Sequence, residues 1–290
     1  MKVGLQINRF TWEGQPKTIS DTLREIATTA DEVGFYSIWV MDHFFQIHHI
    51  GESEEPMLEA YTTLGFLAGI TKKAKLGTMV TGVIYRNPAM LTKIITTLDV
   101  LTKGRAYLGI GAAWNEEESL ALGFDFPPLK ERFEKLEEAL QIAHQMWKGD
   151  EKPFESKHYH LGRPLNSPKH LTQPHPPILI GGGGEKKTLR LVAQYADACN
   201  LFSQLGDEEV TRKLDILKQH CKEVGRNYDE IEKTAMYQIR EEIDPNKVLN
   251  DIKHIHDLGF SHVILGIRNV NEITPLKIIG EKIIPQVSKL

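Results

Sequence analysis

Four consecutive glycines, Gly181 to Gly184, follow the apolar run Pro177–Ile180 and precede a helical pattern. A glycine run costs backbone entropy, so it indicates a chain that approaches a ligand closely or adopts positive φ. Exposed amides between a strand and a helix favour an anion, most often a phosphate. Glu185 would repel that phosphate, although Lys186 and Lys187 stand beside it. We predict a phosphate-bearing cofactor here, with a ligand-free strained turn as the alternative.

The pair Asp42-His43 is the best candidate for acid–base chemistry, because it directly follows an apolar strand pattern. Imidazole titrates near neutral pH and can pass a proton to or from a substrate oxygen. A histidine held by structural hydrogen bonds at the rim is the alternative. The other histidine groups, His48-His49 and His158-Tyr159-His160, lack helical ligand spacing and an obvious set of carboxylates, so no metal site is predicted.

Short apolar runs alternate with longer helical patterns along nearly the whole chain. Eight βα units in 290 residues predict an α/β protein, a (β/α)₈ TIM barrel that forms a single domain over residues 1–290. A doubly wound open sheet is the alternative. The predicted strands are Lys2–Ile7, Ser37–Met41, Lys75–Thr81, Arg105–Gly111, Ile178–Gly181, Ala198–Phe202, Ile231–Ile239 and His262–Ile267.

The stretch from Trp114 to Pro176 is too long for one helix and two turns, and we interpret it as an insertion after the fourth strand. It holds one predicted helix, Arg132–Lys148, with a flank on either side. Loops of this length are usually functional or disordered. We expect both flanks to be ordered loops over the barrel mouth.

Residues that follow the strands mark the site, because a barrel of this kind carries its active site at the carboxyl ends of the strands. The mouth is aromatic and poor in paired carboxylates, which suits a flat ring better than acid–base hydrolysis. We expect at least two of its aromatic residues to be core only, and Arg86 and Arg268 to be its only evident cations. The aromatic residues are Phe10, Trp12, Phe44, Phe45 and Trp114.

The net charge is −4 and the pI is near 6.3. Acidic and basic residues are interspersed, so the sequence shows no basic patch of the kind that binds nucleic acid or an anionic membrane. No apolar run approaches the ~20 residues that a membrane span needs. Two cysteines, Cys199 and Cys221, are typical of a reduced cytoplasmic protein. We expect a cytoplasmic enzyme that acts on a small molecule.

Several motifs, agreeing in order and spacing over almost the whole chain, resemble the bacterial luciferase-like superfamily. The most similar subgroup uses coenzyme F420, whereas FMN-dependent monooxygenases share the barrel and many of these motifs. The motifs are Trp39–Phe44, Leu76–Thr81, Tyr85–Ala89, Gly104–Glu118 and Pro176–Asn200.

The resemblance implies a role for each matching position. Asp42 would contact the cofactor, and His43 would donate or accept the proton. A bulge on the third strand, with a non-prolyl cis peptide bond, would back the ring. The bulge would comprise Met79, Val80 and Thr81, with the cis bond between the first two. The ring and ribityl chain would be lined by Gly111, Ala112 and Asn115. The phosphate would be held by Gly181, Gly182, Gly183 and Gly184.

One position departs from the pattern. Sugar-phosphate and secondary-alcohol dehydrogenases of this family carry a glutamate after the second glycine of the fourth strand, where this chain has Ala112. The missing carboxylate argues against those two substrates.

Together these features predict an oxidoreductase that transfers a hydride between C5 of coenzyme F420 (8-hydroxy-5-deazaflavin) and a small, largely apolar organic substrate. The resemblance also implies a homodimer. One alternative is an FMN-dependent luciferase-like monooxygenase that uses O₂ and needs a flavin reductase or free reduced flavin. Another is a non-catalytic flavin-binding barrel.

Overall fold

Parallel pairing joins every strand of the main sheet in the computed structural model, which describes residues 1–290. The order is β3-β2-β1-β11-β10-β9-β8-β5-β4. A bridge between Leu76 and Ala106 brings the first strand in this order against the chain that enters β5, so the sheet nearly closes. These strands are β1 (Lys2–Ile7), β2 (Ser37–Val40), β3 (Lys75–Thr78), β4 (Thr81–Gly82), β5 (Leu108–Gly111), β8 (Ile178–Gly181), β9 (Ala198–Phe202), β10 (Glu232–Ile239) and β11 (His262–Ile267).

Nine strands occupy eight barrel positions, because β3 and β4 are two halves of one interrupted strand. The interruption is Met79–Val80, and the peptide bond between these residues is cis. The predicted (β/α)₈ barrel is confirmed, and the cis bond lies at the position predicted from the sequence. The interruption lies within the predicted third strand, Lys75–Thr81, at the position where the resemblance implies a bulge with a cis bond.

Helices cover the outer face of the strands, as the alternating pattern indicates. None of them combines the length and the apolar content that crossing a bilayer requires. They are α1 (Ile19–Val33), α2 (Ala60–Ile70), α3 (Pro88–Leu101), α4 (Glu116–Ala121), α5 (Leu129–Lys148), α6 (Thr188–Tyr195), α7 (Asp207–Val224), α8 (Pro245–Asp257), α9 (Thr274–Ile278) and α10 (Ile284–Val287), with a π-helical turn at Ile279–Ile283.

Two separate apolar clusters form the core. The larger lies between strands and helices, and the smaller fills the interior of the barrel, as layered side chains do in this fold. Met79 and Val80 pack against the inner cluster from the mouth side, so the interruption of the third strand forms the floor of the mouth. The inner cluster comprises Trp39, Tyr107, Leu179, Ala198, Met236 and Ile264.

The insertion differs from its prediction in two ways. It contains a second helix, α4, and a small antiparallel hairpin of β6 (Phe154–Glu155) and β7 (His160–Leu161). In addition, only its first flank lies at the mouth. In the second flank, the amides of Leu171 and Thr172 donate to Asp99 near the carboxyl end of α3, which lies at the opposite end of the barrel.

A buried polar cluster lies at that opposite end, where the strands begin. Glu232 accepts hydrogen bonds from Lys2 Nζ at 2.7 Å and from the Tyr107 hydroxyl at 3.2 Å. His262 lies 3.6 Å from Glu232, and its Nε2 is 3.0 Å from the Ser37 hydroxyl. Burial acts to raise the pKa of Glu232, but His262 and Lys2 outweigh it and lower that pKa to about 2. The ionised carboxylate is therefore more stable in the folded chain than in the unfolded chain.

Replacing Glu232 with glutamine is expected to lower the free energy of unfolding at neutral pH and to make that free energy depend less on pH. A pKa of about 2 against the ordinary 4.5 corresponds to roughly 3 kcal/mol, present above pH 4.5 and lost as the pH falls towards 2. The sign follows because the unfolded chain takes up this proton first. Urea unfolding between neutral pH and about pH 3 measures the difference.

The control is Glu230→Gln, at an exposed glutamate two residues away, which should keep the wild-type pH dependence. If Glu232→Gln kept that dependence too, the carboxylate would not be the group that titrates.

Candidate functional site

An imidazole and a buried carboxylate meet at the carboxyl ends of β2 and β5. His43 Nδ1 lies 2.6 Å from Glu118 Oε1, and the two side chains are 12% and 0% exposed. Because the ionised carboxylate only accepts hydrogen bonds, Nδ1 is the donor, and in the neutral form of the ring Nε2 then carries the lone pair. Nε2 makes no hydrogen bond to the protein. This geometry gives His43 one fixed nitrogen and one nitrogen available at the mouth.

Glu118 is held by four donors. In addition to His43, the Tyr85 hydroxyl donates to it at 2.5 Å, and the amides of Phe44 and Phe45 donate at 2.9 and 3.2 Å. Burial acts to raise the pKa of Glu118, but the hydrogen bonds from His43 and Tyr85 outweigh it and lower that pKa. The carboxylate therefore stays charged and fixes the orientation of the imidazole.

Glu118 is a residue of the site that its sequence context does not reveal as functional. It is the third glutamate of a run, Glu116-Glu117-Glu118, which is typical of a solvated helix start. The one signal was its place three residues after Asn115, whose side chain caps α4 by accepting from the Glu118 amide. That cap sets the direction of the helix, so that the third glutamate points inward.

Asp42 does not present a free carboxylate to the mouth. It is 1% exposed, and its two oxygens accept from both terminal nitrogens of Arg86, at 2.6 and 3.0 Å. Arg86 also donates to Glu59 at 2.5 Å and lies over the Tyr61 ring. Burial raises the pKa of Asp42, and Arg86 opposes that rise. A cofactor contact by Asp42 stays a prediction, and the arrangement favours contact through its backbone.

The side chain of Val80 occupies a space that is free only because the two residues facing it are glycines. A Cβ atom added to Gly111 would lie 3.0 Å from Val80 Cγ2, and one added to Gly181 would lie 2.9 Å from Val80 Cγ1. Thr81, the next residue, is fully buried, and its hydroxyl bonds Tyr61 and Thr78. The bulge, the end of β5 and the first glycine of the tetraglycine run therefore form one continuous surface.

The remaining glycines form an open loop before α6. Gly182 has φ +110°, a conformation that favours glycine. The carbonyl oxygen of Gly183 accepts from Lys213 Nζ at 2.8 Å, from the facing helix α7. A Cβ atom on Gly184 would lie 2.8 Å from the Thr188 hydroxyl. The loop therefore depends on bare backbone, as the sequence predicts, but its nearest cation is not one of the expected lysines.

The charge of Glu185 is neutralised within the fold. Arg212 lies 2.8 Å and Lys213 lies 3.6 Å from its carboxylate, while Glu209 pairs with the same two basic residues. Two acids and two bases thus balance beside the glycine loop, so the repulsion expected of Glu185 is offset. Lys187, expected to help with the phosphate, lies instead over the Phe133 ring.

Arg132 fixes the backbone after β5. Its Nη1 donates to the carbonyl oxygen of Ala113 at 2.5 Å and to that of Ala112 at 3.4 Å. Ala113 has φ +62°, and the turn directs Trp114 outward, 52% exposed, with its ring edge-on to His43 at 5.3 Å. Phe10 and Trp12 are by contrast buried core residues. Phe10 serves only as core, but Trp12 also lines a cleft at the mouth, so these two do not meet the expectation of at least two residues that are core only.

The surface around Val80 fits a flat ring with an anionic tail. Its glycine positions are ones that a Cβ would fill, His43 Nε2 is available at one side, and the free amides of Gly183 and Gly184 lie at the other. The Gly182 amide instead donates to the carbonyl oxygen of Asn200 at 3.4 Å. These residues suit a ring and a phosphate better than a metal or a nucleophilic mechanism.

Gly181→Ala is expected to destabilise the protein by about 1–3 kcal/mol, the usual cost of overpacking, because its methyl group would lie 2.9 Å from Val80. Chemical unfolding of the single variant, Val80→Ala and the double variant measures the coupling. The double variant should regain part of the loss.

Gly65→Ala is the matched control, because a Cβ at this helical glycine meets nothing within 4 Å. It should be neutral or stabilising by up to about 1 kcal/mol. Purely additive losses in the double variant would contradict the packing described for Val80.

Known proteins share both the sequence and this fold. Relatives include F420-dependent glucose-6-phosphate dehydrogenases from Nocardia farcinica, 31% identical over 80% of this chain and 68% of the relative, and from Kineococcus radiotolerans, 30% identical over 80% and 67%. A third, from Amycolatopsis mediterranei, is 29% identical over 82% of this chain and 71% of the relative.

Two solved structures share the fold over nearly their whole length. An F420-dependent secondary alcohol dehydrogenase in complex with an F420-acetone adduct has a TM-score of 0.82 at 19% identity, covering 99% of this chain and 98% of that one. The F420-dependent tetrahydromethanopterin reductase of Methanopyrus kandleri has a TM-score of 0.80 at 16% identity, covering 99% of both chains. The family described as luciferase-like monooxygenase matches residues 1–240. With its interrupted third strand and glycine-lined mouth, this chain belongs to the luciferase-like monooxygenase family.

Proposed function

We propose that this protein is an oxidoreductase that uses coenzyme F420 to transfer a hydride to or from a small organic substrate. The observation that carries the proposal is the His43–Glu118 pair, which lies beside the glycine-lined surface and presents an unbonded Nε2. The choice of F420 rests on the relatives, which at about 30% identity are named as F420-dependent dehydrogenases.

Three groups of residues would hold the cofactor. Val80, with Gly111 and Gly181, would support one face of the ring. The amides of Gly183 and Gly184 would bind the phosphate, because free amides before a helix favour an anion. Gly182 would contribute its positive φ to the loop, since its own amide donates to Asn200. Ala112 and Asn115 would line the remaining edge through the backbone that Arg132 fixes. When bound, F420 supplies a carbon that accepts or donates a hydride, a chemistry that no side chain of the protein offers.

His43 would manage the proton that accompanies the hydride. In the direction of substrate oxidation, Nε2 accepts the proton of a substrate hydroxyl, and in the reverse direction the imidazolium returns it. The negative charge of Glu118 stabilises the imidazolium that forms. Glu118 is therefore a positioning residue, since its carboxylate contacts His43 and three other donors.

Glu118 replaces only part of what a carboxylate at position 112 would supply. Glu118 supplies a negative charge near the mouth, but it is fully buried and its oxygens are already bonded. It cannot protonate a substrate directly. The proposal therefore assigns acid–base chemistry to one residue, His43, rather than to a histidine and a glutamate together.

The first test is cofactor choice. Titration of the protein with F420 and with FMN, followed by fluorescence, should give tight binding of F420 and weak binding of FMN. Lys213→Gln should weaken F420 binding about tenfold, or ~1.4 kcal/mol, because it leaves the balanced charges beside the glycine loop net negative.

Lys218→Gln, at an exposed lysine on the same helix, is the control and should bind F420 like the wild type. Tight FMN binding with weak F420 binding would replace the proposal with the FMN-dependent monooxygenase. Tight cofactor binding without turnover under any reductant would favour the non-catalytic barrel.

The second test is the proton relay. With an alcohol or ketone that the wild type turns over, His43→Ala should lower kcat about 10²–10⁴-fold, the usual contribution of general acid–base catalysis, and leave F420 affinity nearly unchanged. Glu118→Gln should lower kcat less and shift the pH profile, because the imidazolium loses its negative partner.

Glu117→Gln, next to Glu118 but exposed, should keep both the wild-type kcat and its pH profile. A Glu118→Gln enzyme with an unshifted profile would show that the carboxylate is only structural. Full activity of His43→Ala would remove His43 from the mechanism.

A further inference from the structure

A second cleft opens at the mouth, at the carboxyl ends of β1, β10 and β11. It has a volume of about 340 Å³, a size suited to a small ligand. Three arginines line it, one from the end of each strand: Arg9, Arg240 and Arg268. The other lining residues are Thr11, Trp12, Glu241, Glu242, Asn269 and Asn271.

The three arginines have no partner of opposite charge within the protein. None of them forms an ion pair or a side-chain hydrogen bond, whereas Arg86 and Arg212 elsewhere at the mouth are each paired with two carboxylates. Two glutamates, Glu241 and Glu242, share the cleft without reaching an arginine, so it carries a net formal charge of +1. The prediction that Arg86 and Arg268 are the only evident cations of the mouth is wrong for two reasons. Arg86 is buried against Asp42, and two further arginines join Arg268.

The cleft lies on the arc of the mouth that the proposed cofactor residues leave free. Those residues follow β2, the interrupted third strand, β5 and β8, whereas β11 and β10 continue the sheet beyond β1. The loop after β1 touches the loop of His43, because Gln46 Nε2 donates to the carbonyl oxygen of Asn8, next to Arg9. A molecule in the cleft therefore lies beside the loop that carries the proposed proton donor.

We propose that this cleft binds an anionic group of the substrate, a carboxylate or a phosphate. The inference rests on the proposed function, and it replaces the expectation of a largely apolar substrate. Guanidinium groups match the planar oxygens of both anions and bind them in pairs. The side-chain amide of Asn271 adds a neutral donor, whereas that of Asn269 already donates to Glu272 at 2.9 Å. The substrate would carry its anion at the arginine cleft and its reacting carbon near His43.

Arginine-specific labelling with phenylglyoxal, followed by mass spectrometry, tests the cleft without cofactor or turnover. Inorganic phosphate and succinate are the two probes, with sodium chloride at matched ionic strength as the control salt. We expect phosphate, succinate or both to protect Arg9, Arg240 and Arg268 in a saturable manner. Exposed Arg163, which pairs with Glu151, should label equally in every sample. Protection by phosphate alone indicates a phosphate-bearing substrate, and protection by succinate alone indicates a carboxylate.

Two double variants are expected to change the affinity of the cleft for the probes in opposite directions. In Arg240→Gln/Arg268→Gln, the probe concentration that half-protects Arg9 should rise about tenfold or more, as expected on losing charge-assisted hydrogen bonds. In Glu241→Gln/Glu242→Gln it should fall several-fold, because two repelling charges are removed. Equal protection by sodium chloride, or no response to either variant, would overturn the proposal.

A third measurement separates substrate from cofactor. F420 affinity of Arg240→Gln/Arg268→Gln should stay within about twofold of the wild type, because the phosphate of F420 is assigned to the glycine loop. A tenfold loss would assign the cleft to the cofactor and overturn the inference. Failure of the wild type to bind F420 would instead reject the proposed function, and the labelling result would still report on the cleft.

Discussion

The buried carboxylate of Glu118 is the interaction on which the arrangement of the mouth depends. A charge with no solvent exposure is tolerated only when its oxygens are fully hydrogen-bonded. The four donors come from the loop after β2 and from Tyr85, and the carboxylate itself comes from α4 of the insertion. These hydrogen bonds, together with the packing of the Phe44, Tyr85 and Phe124 rings, fix the loops to one another. The orientation of His43 follows from this requirement, because its Nδ1 is one of the donors.

Steric fit governs the other half of the mouth. Val80 stands where side chains on β5 and β8 would otherwise lie, and the two glycines facing it make the close approach possible. Because the barrel interior is already filled from the opposite side, the interrupted third strand cannot sink into it. A shallow apolar floor results, and the tetraglycine loop continues it to the edge of the barrel. Rigid packing below and bare backbone beside it are complementary parts of one surface.

The barrel could be predicted because the sequence patterns that specify its strands and helices are local. Apolar runs separated by helical patterns occur in order, and the glycine run marks its own backbone requirement. Charge pairing across the mouth could not be predicted in this way. Glu118 is 75 residues from His43, and the three arginines of the cleft lie between 28 and 259 residues apart. Whether a strand-end residue points to the mouth or into a buried pair also depends on its neighbours, as Asp42 and Arg86 show.

Charged groups are paired at both ends of the barrel, but only the mouth also holds a cluster of unpaired arginines. Where the strands begin, Glu232 is surrounded by Lys2, Tyr107 and His262, and that pairing favours the folded chain. At the mouth, the arginines after β1, β10 and β11 share one cleft with Glu241 and Glu242 but form an ion pair with neither. Like charges held close together repel and give the fold nothing in return. Their proximity is best explained by a ligand that brings the missing negative charge. The same barrel can therefore separate stability from binding, because its strands carry the two tasks at opposite ends.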